Sequence, residues 1–219
     1  MKNIIFIAPP AAGKGTQAKF ISKEYNIPHI ATGDLLREEI EKNTEIGIQI
    51  KEDMDKGNNL VSDSILESIL KNKLSTCKNG FILDGYPRNI SQAKILEEIL
   101  KELNQNLGVV IYLDIDKKLA LNRALGRITC PKCGASFNEI IENSKPKNIG
   151  ICDYCNSTLV KRSDDNEESF LNRFDTYLNK TKELIDYYND LGVLRTIKID
   201  DNSTPKSDYK KIKEILEND

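Results

Sequence analysis

Short apolar runs alternate along the chain with longer stretches in which apolar residues return every three or four positions, the pattern of helices covering a parallel sheet. Strands are predicted over Asn3 to Ile7, Pro28 to Ile30, Gly80 to Leu83, Gly108 to Leu113 and Val193 to Ile199, with helical patterns between most of them. The clearest helix is predicted from about Glu167 to Asn189. Its Phe170, Phe174, Tyr177, Leu178, Ile185 and Tyr188 fall on one face, and Gly192 follows as a stop. That stripe reads as core. The fold class expected is therefore α/β. Two regions break the alternation: Thr32 to Asn59 reads as helices without a strand, and Thr129 to Arg162 is turn-rich and holds four cysteines. Both read as insertions into one core.

At 219 residues the chain is long enough to bury a sizeable core. Its 32 Lys and Arg against 34 Asp and Glu leave a net charge of −2, so no global positive field draws it to nucleic acid or anionic lipid. Local arginines must carry any anion binding. Pro9 and Pro10 stop the N-terminal apolar run short of a secretory segment, and no later stretch is apolar enough to span a bilayer, so a cytoplasmic protein is expected.

The candidate chemistry starts directly after the first predicted strand. Ala8 to Gln17 reads Ala-Pro-Pro-Ala-Ala-Gly-Lys-Gly-Thr-Gln, a strand feeding a turn that cradles phosphate. Backbone N–H groups of such a turn converge on anionic oxygens, the following helix adds its positive end, and Lys14 can reach the outer phosphates. The general motif is altered in two places: Ala8 stands where its first glycine would be, and Gly15 follows Lys14, delaying the hydroxyl to Thr16. Thr32-Gly33-Asp34-Leu35-Leu36-Arg37 and Asp84-Gly85-Tyr86-Pro87-Arg88 each end in an arginine beside turn-forming residues. Asp84, directly after Phe81, Ile82 and Leu83, sits at a strand's carboxyl end, a natural place for a carboxylate that holds a hydrated magnesium ion. Arg123 and Arg127 follow one helical turn apart, then Arg162 and Arg173. The single histidine, His29, lies in a short apolar run and reads as structural.

Cys130 and Cys133 are separated by two residues, as are Cys152 and Cys155, and Pro131 and Gly134 shape the first pair into a knuckle. Four thiolates at this spacing match a tetrahedral zinc site, and a chain without an export signal sits where disulfides are rare. Four sulfurs leave no open coordination position, so the ion is expected to be structural, folding a segment with little core of its own. Glu139, Glu142, Lys145 and Lys147 between the pairs balance to zero, which argues against a nucleic-acid surface. Cys77 reads as an apolar filler.

Taken in order, Gly13-Lys14-Gly15-Thr16, Thr32 to Arg37, Leu60-Val61-Ser62-Asp63, Gly80 through Arg88 with Gln92, the paired cysteines, and Arg162-Ser163-Asp164-Asp165 with Arg173 resemble the adenylate kinases of the long type with a zinc-bearing lid. The resemblance covers nearly the whole chain. It implies a P-loop three-layer fold with a five-stranded parallel sheet, a core of residues 1–30, 61–127 and 163–219, an AMP-binding helical insertion at 31–60 and a zinc-binding lid at 128–162. It further implies that Ala12, Gly13, Lys14, Gly15 and Thr16 bind ATP with Arg123 and Arg127. Thr32, Arg37, Leu60, Val61, Gly85, Arg88, Gln92, Arg162 and Arg173 would bind AMP, with Thr32 and Gln92 favouring adenine over a pyrimidine. Lys14, Arg88, Arg123, Arg162 and Arg173 would be catalytic, Asp84 would hold magnesium through water, and Cys130, Cys133, Cys152 and Cys155 would hold zinc. The expected ligands are ATP, AMP and ADP, with no nucleic acid and no membrane. A monomer is expected, since a two-substrate enzyme that closes needs free hinges. Two alternatives stand beside this: a GTP-AMP phosphotransferase of the same fold, and a nucleotide-binding regulator impaired by Ala8 and Ala11, where the family's turn usually has glycine.

Overall fold

The structure, a computed structural model, describes residues 2–55, 63–162 and 165–218. Its strands are β1 (Lys2–Ile7), β2 (His29–Ala31), β3 (Gly80–Asp84), β4 (Val109–Ile115), β5 (Arg127–Thr129), β6 (Ser136–Asn138) and β7 (Leu194–Ile199). Five of them form one sheet in the order β2-β3-β1-β4-β7, every pair parallel. The helices are α1 (Lys14–Tyr25), α2 (Thr32–Glu41), α3 (Glu45–Asp55), α4 (Asp63–Ser75), α5 (Ile90–Glu102), α6 (Lys117–Leu125), α7 (Glu167–Thr176), α8 (Glu183–Asp190) and α9 (Pro205–Asn218).

The central strand shows why the apolar runs are unbroken. Ile4 and Phe6 of β1 face a core built with Ala18 and Ile21 of α1, Ala120 of α6 and Ile212 of α9. Ile5 and Ile7 point the other way, into a core with Leu70 of α4, Leu96 of α5 and Tyr188 of α8. With helices on both faces Ile4, Ile5, Phe6 and Ile7 are all buried, so alternation disappears over that run. All five predicted sheet strands are present, displaced by at most two residues at their ends.

The long helix predicted over 167–189 is helical through that range but carries a wider turn that divides it into α7 and α8. Between α7 and α8 the chain makes a π turn, Tyr177–Thr181, in which the N–H of Lys182 reaches the carbonyl of Tyr177. The buried positions are Phe170, Phe174, Tyr177, Leu184 and Tyr188, whereas Leu178 is 43% exposed and Ile185 is half-buried. The expected stripe is corrected at Leu178. Helices α2 and α3 occupy the first region that broke the alternation; residues 56–62, which include Leu60 and Val61, lie outside the described residues. In the second region, β5 and β6 pair antiparallel, Thr129 bridges Val160, and Ile128, Cys130, Phe137, Cys152 and Leu159 form a small separate core. Among the described residues, no helix is long and apolar enough to cross a membrane.

Candidate active site and metal centre

The sheet register brings the first two candidate elements together. Phe6 pairs with Asp84 and Asp84 with Ala31, so the end of β3 lies level with the start of the phosphate turn after β1 and with the residue before α2. Helices α5, α6 and α7 open on side-chain caps from Asn89, Asp116 and Asn166. Helix α1 instead opens on Gly13, held at φ 100°, with no side-chain cap. Its first-turn N–H groups are therefore presented toward whatever occupies the turn. Of the two alanines that replace glycine, only Ala11 takes a left-handed conformation, φ 60°. Such a conformation costs an L-residue about 1–2 kcal/mol, partly offset by the lower entropy of the unfolded alanine chain. Ala11→Gly is therefore expected to stabilise the protein by roughly 0.5–1 kcal/mol, read as a raised thermal midpoint. A lowered midpoint would show that the alanine methyl is worth more than the strain.

Lys14 curls back over the turn, donating from Nζ to the carbonyls of Ala8 at 3.0 Å and Pro9 at 3.4 Å. Burial lowers its pKa; the Asp84 carboxylate opposes this, and the charges of Arg173, Arg88 and Arg127 push it down further. Three guanidinium groups from three distant stretches thus act on one ammonium. Arg88 is solvent-accessible, yet enough protein surrounds it for burial, and then Arg173, to lower its pKa against the pull of Asp84, as expected on the wall of an open cleft. Asp84, 16% exposed, lies with Oδ2 3.3 Å from Nε2 of His29. Burial disfavours its charge, but the His29 hydrogen bond and the charges of Lys14 and Arg88 win, holding the carboxyl below its usual value. A Cβ on Gly15 would lie 3.8 Å from the same carboxylate, so Asp84 faces the phosphate turn directly. An ionised, cation-ringed carboxylate beside a phosphate cradle fits a hydrated magnesium ion.

Around the neighbouring position, Thr32 is buried and its Oγ1 donates to the carbonyl of Gly85 at 3.2 Å. Gly85 has φ 84°, and a Cβ there would meet Thr32 Oγ1 at 2.9 Å, so only glycine lets the two segments close up. Arg88 is anchored at three points: its N–H donates to Gln92 Oε1 at 2.8 Å, its Nε to the Gly85 carbonyl at 2.8 Å, and its own carbonyl accepts from Thr181 Oγ1 at 3.0 Å. Among the described residues, neither Nη group has a protein acceptor, so the end of the fork is presented outward.

The other arginines are placed differently. Arg127 makes a bidentate pair with Asp165, Nε to Oδ2 at 2.7 Å and Nη2 to Oδ1, with the Asp165 side chain 1% exposed. Because Arg127 enters the second inserted region and Asp165 follows its exit, this pair clasps the neck of the region. Arg123 donates from Nη2 to the Ser203 carbonyl at 3.2 Å, at the loop before α9; burial lowers its pKa while Asp208, Asp201 and Asp200 raise it. Arg37 is exposed and paired with Asp34, and Arg162 is exposed where the chain leaves the inserted region. The structure thus gathers Lys14, Asp84, Arg88, Arg127 and Arg173, and leaves Arg37, Arg123 and Arg162 outside that group. Asp165 and Thr181, which orient Arg127 and Arg88, carry no signal of that role in their spacing.

In the inserted region, Sγ atoms of Cys130, Cys133, Cys152 and Cys155 all lie within 4.8 Å of one another. Tetrahedral zinc–sulfur bonds of about 2.3 Å set sulfur separations of about 3.8 Å, which this group brackets. Two matching knuckles hold them: Gly134 N–H donates to the Cys130 carbonyl and Asn156 N–H to the Cys152 carbonyl, both at 2.9 Å, with left-handed φ of 67° and 56°. Crowding splits the thiol acidities. Hydrogen bonds from Ser157 lower Cys155 to about 6, whereas Cys133, despite the Ala135 backbone bond, is pushed up to about 12 by burial and its thiol neighbours. Four thiolates cannot coexist here without a cation, and the sulfur-only set with no open position fits structural zinc. Lys19 of α1 donates to the Gly134 carbonyl at 2.6 Å, joining this centre to the helix that follows the Gly13 turn.

The family model for adenylate kinase matches residues 6–193. An adenylate kinase of Caldanaerobacter subterraneus subsp. tengcongensis is 44% identical over 215 residues, covering 97% of this chain and 95% of the relative. One of Clostridioides difficile is 45% identical, covering 90% and 91%, and one of Ruminiclostridium cellulolyticum is 46% identical, covering 88% and 89%. With the cradle, the arginine ring and the cysteine quartet all inside the matched span, this chain belongs to the adenylate kinase family.

Proposed function

We infer that this chain transfers the terminal phosphoryl group of Mg-ATP reversibly to AMP, giving two ADP and so balancing the adenine nucleotides. The observation that carries this is the convergence of Arg88, Arg127 and Arg173 on Lys14, with Lys14 and Arg88 beside the Asp84 carboxylate at the carboxyl edge of the sheet. An AMP phosphate is already an anion when it attacks, so the reaction needs no general base. Its difficulty is bringing negative groups in line and meeting the charge on the equatorial oxygens. Lys14, half-buried and with its pKa lowered by desolvation and then by its cationic neighbours, has most to gain from a polyphosphate, whose arrival restores its preference for charge.

In this reading the turn 12–16 holds the ATP phosphates, with Arg127 fixed by Asp165 and Arg123 on the side of the 200–208 loop. Arg88 and Arg173 take the AMP phosphate, with Thr32, Gly85 and Gln92 building the adjoining wall. Asp84 would hold hydrated magnesium, which supplies further neutralisation of the phosphates. Residues 1–30, 61–127 and 163–219 act as the core, 31–60 as the AMP-binding insertion and 128–162 as the lid. Closure would expel water, the competing acceptor, and bring Arg162 and Arg37 onto the bound nucleotides. The protein works as a cytoplasmic monomer in this reading.

A coupled assay of ADP formation tests it. With ATP, AMP and magnesium, turnover is expected, and with GTP as donor a much lower rate. Equal rates with the two donors would make it a GTP-AMP phosphotransferase, and no ADP with either would make it a nucleotide-binding protein without catalysis.

A further inference from the structure

Threonines inside helices ordinarily turn their hydroxyl back onto the carbonyl four residues earlier, as Thr176 does here, donating to Asn172 at 2.8 Å. Thr181, one turn later, does not. It closes the π turn 177–181, and its Oγ1 leaves the helix to donate 3.0 Å to the carbonyl of Arg88, 93 residues away in sequence. The wider turn, closed by Lys182 N–H on the Tyr177 carbonyl, loosens the backbone ladder at the place where this outward bond is made. The helical stretch that makes the bond also carries Arg173, whose charge bears on both Arg88 and Lys14.

We propose that Thr181 is a positioning residue: the π turn delivers its hydroxyl to Arg88 so that the Arg88 and Arg173 guanidinium groups are held at the spacing one phosphate group requires. The need is electrostatic. The positive charge of Arg173 acts on Arg88 and opposes its own, and Arg88 sits on a loop while Arg173 sits on α7. Bonds to Gly85 and to Gln92 of α5 fix Arg88 against its own strand-to-helix connection, and the Thr181 bond ties that backbone to the helical segment of Arg173. Pre-setting the pair before substrate binds removes an ordering cost from AMP binding.

The inference rests on the proposed AMP role of Arg88, and the test separates the two. AMP affinity is measured by calorimetry, and KM and kcat by the coupled assay, for the parent, Thr181→Val, which keeps shape and loses the donor, and Thr181→Ser, which keeps the hydroxyl. Loss of one such bond is expected to weaken AMP binding and raise its KM roughly two- to tenfold in Thr181→Val, with ATP KM within a factor of about two of the parent and Thr181→Ser close to the parent. Unchanged AMP affinity in Thr181→Val, an equal rise of both KM values, or failure of Thr181→Ser to restore binding would overturn it, even where the thermal midpoint has fallen. A parent that binds no AMP would instead refute the functional reading on which it rests.

Discussion

Lys14→Met lowers ADP formation by about 100- to 1,000-fold while leaving the thermal midpoint unchanged or higher. The first half follows from the position of Nζ, folded over the Ala8 and Pro9 carbonyls at the mouth of the turn. A preorganised cation aimed at developing charge contributes on this scale because it needs no reorganisation when the charge appears. The second half follows from its surroundings. Burial and then three nearby arginines lower the Lys14 pKa, and Asp84 only partly compensates. For a lysine whose folded pKa lies below its unfolded value, the charged form is disfavoured by folding, so the penalty is present at neutral pH and fades as pH rises from the depressed folded value to the unfolded one. Methionine keeps the aliphatic stem and removes that penalty. Loss of activity with no loss of stability would mark Lys14 as a residue kept for chemistry. Arg88→Ala should fall in the same direction. Near-parental ADP formation by either variant would break the link between the cationic group and phosphoryl transfer.

How much of this was legible in the sequence depends on which force decided each feature. Strands buried on both faces announce themselves as continuous apolar runs, which is why Ile4 to Ile7 and Phe81 to Leu83 locate β1 and β3 closely. Chemistry carried by short local motifs was equally legible: the turn at Gly13, the carboxylate at the end of β3 and the paired cysteines are each a few residues long. The π turn was not, because apolar spacing over 167–189 fits one straight helix and backbone widening leaves little mark on composition. Nor does the sequence tell that Arg127 is spoken for by Asp165, or that Arg123 turns toward Ser203, since both depend on partners 38 and 80 residues away. Arg88, Arg123, Arg127, Arg162 and Arg173 look alike in a sequence; what separates them is which carboxylate or carbonyl the fold leaves within reach. The Ala11 strain lay between these cases, since the substitution was visible and its left-handed φ was not.

The cysteine quartet supports the second large effect, on stability rather than chemistry. The lid core consists of Ile128, Cys130, Phe137, Cys152 and Leu159, so two of its five members are metal-site cysteines. Such a core is too small to fold a segment of this length unaided, and coordination supplies the missing free energy. Replacing Cys130 and Cys152 by serine, or stripping zinc with a chelator, is expected to lower the thermal midpoint on the order of 10 °C, the scale set by losing about 3–5 kcal/mol in a chain of this size. Amide exchange should place the loss first within 127–162, before the α/β core opens. Turnover at low temperature should fall less, by a few fold, because Lys14, Asp84, Arg88 and Arg173 lie outside the lid, and the Arg127–Asp165 clasp still fixes its neck. The Lys19 bond to Gly134 gives the damage a path to α1, since an unfolded knuckle can no longer offer that carbonyl. If parent and variant melt together and exchange alike over 127–162, the four sulfurs hold no structural ion, and the lid must be ordered by its strand pairing and neck alone.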